Sequence, residues 1–236
     1  MFKKSLFFLI LVVVLAAGLR LWQLGQVPVS MSDDEVRVAE NAYSLSRTGK
    51  DIKGNLLPLA FEVDNYAFNP TPIYIASVFV KIFDLSMFSV RLPYALAALI
   101  SILLLYGIAL ELTKNKAISI LSSLVLALSV WHIQMSRIAY EGGFALFFYL
   151  LGIFIFLRMR KGNIVYFLLT MLSFLLAFNS YSGTKLIFIP IVITLLAFKL
   201  KEIKIKHFFN CRFFYIFCFC FFCIFKQNTK CIPLWI

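Results

Sequence analysis

The first 210 residues contain no cysteine, and the five that exist, Cys211, Cys218, Cys220, Cys223 and Cys231, crowd into the tail. No disulfide framework can therefore hold the body of the chain. Charge is also scarce. Asp, Glu, Lys and Arg make up 14% of the 236 residues, where soluble domains carry about 25%. That shortage excludes a water-facing globular surface. Acids are the scarcer sign, 11 against 23 basic residues, for a net charge of +12. The basic residues stand largely in short gaps between apolar runs. The excess therefore reads as membrane topology and attraction to anionic lipid, and nucleic acid is not an expected partner. A Walker A loop, an HExxH pair and a GxSxG elbow are all missing. Cys218, Cys220 and Cys223 lack a second ligand pair at zinc spacing, so no metal centre is expected. No internal repeat occurs, nor the matched Gly/Pro-interrupted spans of broken-helix transporters.

What is present is apolar: 62% of residues are hydrophobic and the mean hydropathy is +0.91. The pattern predicts an all-α, polytopic transmembrane helix bundle of about six to seven spans. Residues 1–24 hold the first. Lys3 and Lys4 precede an apolar run at 5–19, and Trp22 marks the interface. The Gly18-Leu19-Arg20 flank is a poor cleavage site, so the span is read as uncleaved, with a cytoplasmic amino terminus.

Residues 25–87 differ. They hold eight of the eleven acids (Asp33, Asp34, Glu35, Glu40, Asp51, Glu62, Asp64 and Asp84) and four of the seven prolines. They read as an ordered external loop. Within it, residues 34–47 form a short helix, with Ser32 and Glu35 at capping-box spacing. Residues 72–83 are apolar but too short to span, so they read as an interfacial or re-entrant helix.

Residues 88–206 supply the later spans, at about 88–110, 117–131, 143–158, 164–178 and 184–198. Lys114 and Lys116, then Arg158, Arg160 and Lys161, then Lys199, Lys201, Lys204 and Lys206 mark the basic side. The positive-inside rule places the 25–87 loop and the 131–142 turn together on the opposite face. Residues 207–236 change character, with nine Phe from position 208 onward. A seventh span and a shifted reading frame both account for this tail, and the abrupt change of composition favours the shifted frame.

Several residues are candidates for chemistry. Asp33, Asp34 and Glu35 suit a helix N-terminus. Equally, one of these carboxylates, held at the membrane surface, can serve as a general base. Arg137 and Glu141 are four apart and either bridge each other or mark a site. Arg91 opens a span and either snorkels or meets a phosphate. His132, beside Trp131, reads as interfacial.

In combination these segments resemble a known family. Asp34-Glu35-Val36-Arg37-Val38-Ala39-Glu40 is similar to its D-E-x-R-x-A-E element. Leu57-Pro58-Leu59 follows, then Asn69-Pro70-Thr71-Pro72-Ile73-Tyr74, similar to K-P-P-L-Y. Ser89-Val90-Arg91-Leu92-Pro93 and Ser136-Arg137-Ile138-Ala139-Tyr140-Glu141 come next. Over about residues 15–200 the chain resembles the amino-terminal part of membrane glycosyltransferases with the GT-C fold, in the dolichyl-phosphate-mannose–protein mannosyltransferase and aminoarabinose transferase family.

The resemblance implies transfer of a hexose or pentose from a polyprenyl-phosphate donor to a protein, lipid or glycan acceptor. It implies no cofactor beyond that lipid-linked sugar, leaves a divalent metal open, and suggests a bacterial plasma membrane. It places Asp34 as the catalytic base or acceptor-positioning carboxylate and Glu141 near the same pocket. Beside them, Glu35 is taken as a second catalytic candidate, and Arg37, Arg91 and Arg137 are assigned with Glu141 to substrate, Arg91 or Arg137 stabilising charge on the departing phosphate. Asn69 stands where the family often has a lysine for the lipid phosphate. Family members run longer, so a truncated transferase lacking part of the donor site is expected. The competing reading is a polytopic transporter or lipid flippase whose charges line a pathway.

Overall fold

Ten backbone elements and a 3-10 turn order the computed structural model, which describes residues 2–63, 66–159 and 163–186, with 188, 190, 191 and 193. The chain divides into two units, Met1–Phe188 and Ile189–Ile236. In the second, Pro190, Ile191 and Ile193 have helical backbone. All elements named below belong to the first. The Phe/Cys tail, most of the expected 184–198 span, Asp64, Arg160, Lys161 and the lysines from Lys199 onward lie outside the described residues.

The first helix, α1 (Phe2–Leu21), is followed by α2 (Asp33–Thr48). Local chemistry sets the ends of α2. Ser32 and Glu35 form a capping box, and Gly49 closes the helix at φ 70, a left-handed conformation that glycine adopts without a Cβ penalty. A short antiparallel hairpin follows, β1 (Phe61–Val63) with β2 (Tyr66–Phe68), in register Phe61↔Phe68. The hairpin is not among the expected elements, since Phe61-Glu62-Val63 alternates over only three residues, shorter than a strand run of about four to eight. Next, α3 (Pro70–Phe83) starts two residues earlier than expected, because proline is tolerated in a first helical turn.

The remaining helices are α4 (Met87–Thr113), α5 (Lys116–Leu128), α6 (Val130–Ser136), α7 (Glu141–Arg158) and α8 (Ile164–Phe178), then a 3-10 turn at Ser182–Thr184. At 1.5 Å per residue α4 is about 40 Å long, more than the ~30 Å hydrocarbon core. By length and composition, Met87–Thr113 and Glu141–Arg158 can each cross a membrane. The pair α5 and α6, bent by 60°, makes a third candidate. Ser5–Leu21, Pro70–Phe83 and Ile164–Phe178 are shorter apolar helices. The expected span at 117–131 is therefore two helices, broken at Ser129.

Small residues let the helices approach, as they do in membranes generally. Ala16 of α1 and Ala127 of α5 share a buried cluster with Val12 and Ile102. A Cβ at Gly107 of α4 would collide with the Phe154 ring of α7, and one at Gly152 of α7 with the Phe174 ring of α8. Arg20, fully buried, crosses from α1 to the α5–α6 break. It donates to the carbonyls of Ala16, Ala127 and Leu126 and, at 2.8 Å, to His132 Nδ1. His132 is thus a buried acceptor and not an interfacial side chain. At the far end, Glu111 of α4 ties to Lys114 at 2.8 Å and Arg158 at 3.0 Å. That end carries Lys114, Lys116 and Arg158; the other carries the long loop.

Candidate active site at the loop-bearing end

Four segments meet at the loop-bearing end through one buried ion pair. The guanidinium of Arg91, in the second turn of α4, donates from Nε to Glu35 Oε1 at 2.9 Å and from a terminal nitrogen to Oε2 at 3.1 Å. Its other bonds run to the carbonyls of Leu24, Pro28 and Ser30. Glu35 also accepts from the Ser32 and Ala139 backbone N–H groups. One carboxylate therefore caps α2, receives α4 and fixes the turn before α7. Breaking such a pair from one side leaves a buried charge and costs about 3–5 kcal/mol.

A second, more open cluster lies beside this clasp. Asp34 opens α2 with its side chain 72% exposed, and Arg37 pairs with it at 3.7 Å. The Arg37 guanidinium lies 5.9 Å from the centre of the Phe68 ring, at the end of the hairpin. Glu141 is the first residue of α7. Both its oxygens are held by Asn69, through the backbone N–H at 3.3 Å and Nδ2 at 3.0 Å. Asn69 Nδ2 also donates to Ser182 Oγ at 3.2 Å. Asparagine favours helix N-caps, yet Asn69 makes no capping bond to α3, since its amide is turned to Glu141 instead. Thr71 N–H donates to the Asn179 carbonyl, tying the start of α3 to the end of α8.

Tyr140 joins the two carboxylates electrostatically. Its hydroxyl is pushed up to about 12, first by burial, then by Tyr181 through a hydrogen bond and charge, then by Glu141 and Asp34. Its ring stands 5.6 Å from that of Tyr181. Behind Glu141, the Tyr94 hydroxyl is buried and has no hydrogen-bond partner among the described residues. An exposed carboxylate, a cation beside it and a second, bound carboxylate can together accept a proton and orient a polar ligand.

The structure separates the candidate residues into two sets. Asp34, Arg37 and Glu141 belong to the open cluster. Glu35 and Arg91 are consumed by the clasp, so neither a base role for Glu35 nor a phosphate role for Arg91 fits their burial. Arg137 does not bridge Glu141, because α6 ends at Ser136 and the two residues do not share a helical turn. It binds the carbonyls of Leu19, Arg20, Trp22 and Val27 instead. Both terminal nitrogens of its guanidinium are therefore engaged by the chain. The bond from Asn69 to Glu141, and the places of Ser182 beside Asn69 and of Tyr181 beside Tyr140, were not foreseen, and nothing local in the sequence signals a bond between positions 72 residues apart.

Residues 69–226 match the sequence pattern of the dolichyl-phosphate-mannose-protein mannosyltransferase family. Among solved structures, the fold is similar to the oligosaccharyltransferase AglB of Archaeoglobus fulgidus in complex with an inhibitory peptide and a dolichol-phosphate. The TM-score is 0.61 at 17% identity, covering 86% of this chain and 27% of that one. The apo form of an oligosaccharyltransferase from the same organism gives 0.62 at 17% identity, with the same coverage. The likeness is one of fold, that of a polytopic GT-C membrane bundle, and this chain spans 27% of the length of those neighbours. Curated proteins yield no match.

Proposed function

The chain belongs to the dolichyl-phosphate-mannose-protein mannosyltransferase family, and from that premise we propose that it carries the acceptor-activating part of a glycosyl-transfer site. The donor is a sugar on a polyprenyl phosphate. The acceptor is a hydroxyl at the loop-bearing membrane face, on a protein in the first instance. A bacterial plasma membrane, with the loop outside, fits the resemblance. The observation that carries this reading is the Asp34 carboxylate at the start of α2, 72% exposed and paired with Arg37.

In the reaction, the acceptor oxygen attacks the anomeric carbon as its proton passes to Asp34. The bond from that carbon to the phosphate oxygen breaks, and the polyprenyl phosphate leaves with the electron pair. General-base help of this kind contributes roughly 10²–10⁴-fold. Arg37, beside Asp34, would offset charge growing on the leaving phosphate. Glu141, fixed by Asn69, would orient the acceptor or the sugar.

The test is transfer of labelled sugar from a polyprenyl-phosphate donor to a hydroxyl-bearing peptide, by the chain reconstituted in lipid, with donor binding measured alongside. Asp34→Asn should bind donor, keep its melting temperature and lose transfer. Near-normal transfer by Asp34→Asn would remove Asp34 as the base.

A further inference from the structure

The long loop displays leucines that none of the described residues covers. Leu56, Leu57 and Leu59 are 69%, 60% and 79% exposed. Scattered exposed leucines need no explanation, but these three fall within four positions on pinned backbone. Leu57 N–H donates to the Gly49 carbonyl at 3.1 Å, and Lys50 bridges Leu56. Tyr74 of α3 donates to the Pro58 carbonyl at 3.1 Å. Leu57 itself is held at φ 43, a left-handed conformation rare for a residue with a branched side chain. The leucines are therefore presented by built structure.

Tyr74 also begins an apolar stripe. Positions 74, 78 and 82 recur every four residues and share one side of α3, where Val78 and Ile82 are exposed, with Phe83 next to them. The stripe runs on through exposed Leu85 to Phe88, whose ring meets that of Phe83 edge-on at 6.3 Å. Phe88 opens the outward face of α4, a membrane-crossing helix that also exposes Ile100 and Leu103. The run is apolar apart from Asp84, whose carboxylate pairs with Arg47 at 2.7 Å, and it ends on a helix long and apolar enough to cross a membrane. At 14 residues α3 is about 21 Å long, too short to cross ~30 Å. Exposed Lys50 and Lys81 flank the stripe, where ammonium groups meet lipid phosphates.

We propose that the 56–59 turn is a membrane-surface anchor, seated in the leaflet on the loop-bearing side as the continuation of the α3 stripe. It holds the loop that carries Asp34 against the lipid surface. The proposal requires only that the chain is membrane-embedded, and it stands apart from the sugar-transfer reading.

Leu59→Trp tests it, in a chain whose Trp22, Trp131 and Trp235 are replaced by Phe. The protein is reconstituted in phosphatidylcholine–phosphatidylglycerol vesicles with plain or brominated acyl chains. The expected result is blue-shifted emission, quenched by brominated lipid about as strongly as Ile100→Trp on α4, and little quenched by aqueous acrylamide. Leu56→Trp, read the same way, should agree. Strong acrylamide quenching without bromolipid quenching would mean the turn stands in water. Blue emission that neither agent quenches would mean a protein surface covers the leucines. Either result overturns the anchor.

Discussion

Asp34 and Glu35 are neighbours with nearly the same chemistry, yet the fold sends them to opposite fates. Successive residues on a helix point about 100° apart. That rotation leaves Asp34 72% exposed beside Arg37, while the Glu35 side chain is 2% exposed and met by four donors. A carboxylate whose lone pairs are all occupied, in part by a buried guanidinium, cannot also take a proton from a substrate. One whose shell is open can. The difference between a structural acid and a candidate catalytic one lies in the partners and not in the residue type. Glu141 stands between them: both its oxygens are held, but by the neutral Asn69.

The largest effect should separate the two neighbours outright. Asp34→Asn should lower transfer by roughly 10²–10⁴-fold with no change in melting temperature. Glu35→Ala should do the reverse. It strands Arg91 in the interior, so folding stability should fall by about 3–5 kcal/mol, read as thermal aggregation in detergent. The protein that remains folded should lose far less transfer than Asp34→Asn, because Glu35 only positions the turns that carry Asp34 and Glu141. A stable Glu35→Ala protein with abolished transfer would invert the assignment. Asn69→Ala should be milder, since it removes one hydrogen bond to a charged group, about 1.5 kcal/mol, and so roughly a tenfold drop in transfer. If Asn69→Ala transfers normally, Glu141 needs no fixing.

Local signals were legible and distant ones were not. Ser32 and Glu35 announced the start of α2 because capping is a three-residue affair, and the helix begins there. The same glutamate's bond to Arg91 spans 56 positions and left no local trace. Apolar runs located α4, α7 and α8, but hydropathy stays high through Ser129 and so concealed the 60° bend between α5 and α6. The i,i+4 reading of Arg137 and Glu141 assumed a continuous helix. The residues between them form a turn, fixed by Ala139 N–H donating to Glu35, and this turn sends Arg137 to the α1 loop and Glu141 to Asn69. The all-α bundle was thus readable from composition, whereas the membership of the open cluster depended on loop closures that only the fold supplies.

The smallest predicted effect concerns a third loop carboxylate, Asp51, which is saturated like Glu35 but entirely by local partners. Its Oδ1 accepts from the Lys53 and Asn55 backbone N–H groups at 3.0 and 2.8 Å, and its Oδ2 from Asn55 Nδ2 at 2.9 Å. Burial works to raise its pKa, but the bonds from Asn55 and Lys53 outweigh burial and leave it lowered. A carboxylate with a folded pKa below its unfolded value of about 3.9 stabilises the fold fully above that value. The contribution is lost as pH falls through the lower, folded pKa. Below about pH 4, amide exchange at Lys53 and Asn55 should therefore accelerate beyond its intrinsic pH dependence. Asp51→Asn should abolish that acceleration while leaving the Glu35–Arg91 clasp and the melting temperature nearly unchanged. Parallel pH profiles for the two proteins would mean that the loop is held by its backbone bridge between Lys50 and Leu56, and that saturation of a carboxylate in this loop stabilises only when its partner, like Arg91, comes from another helix.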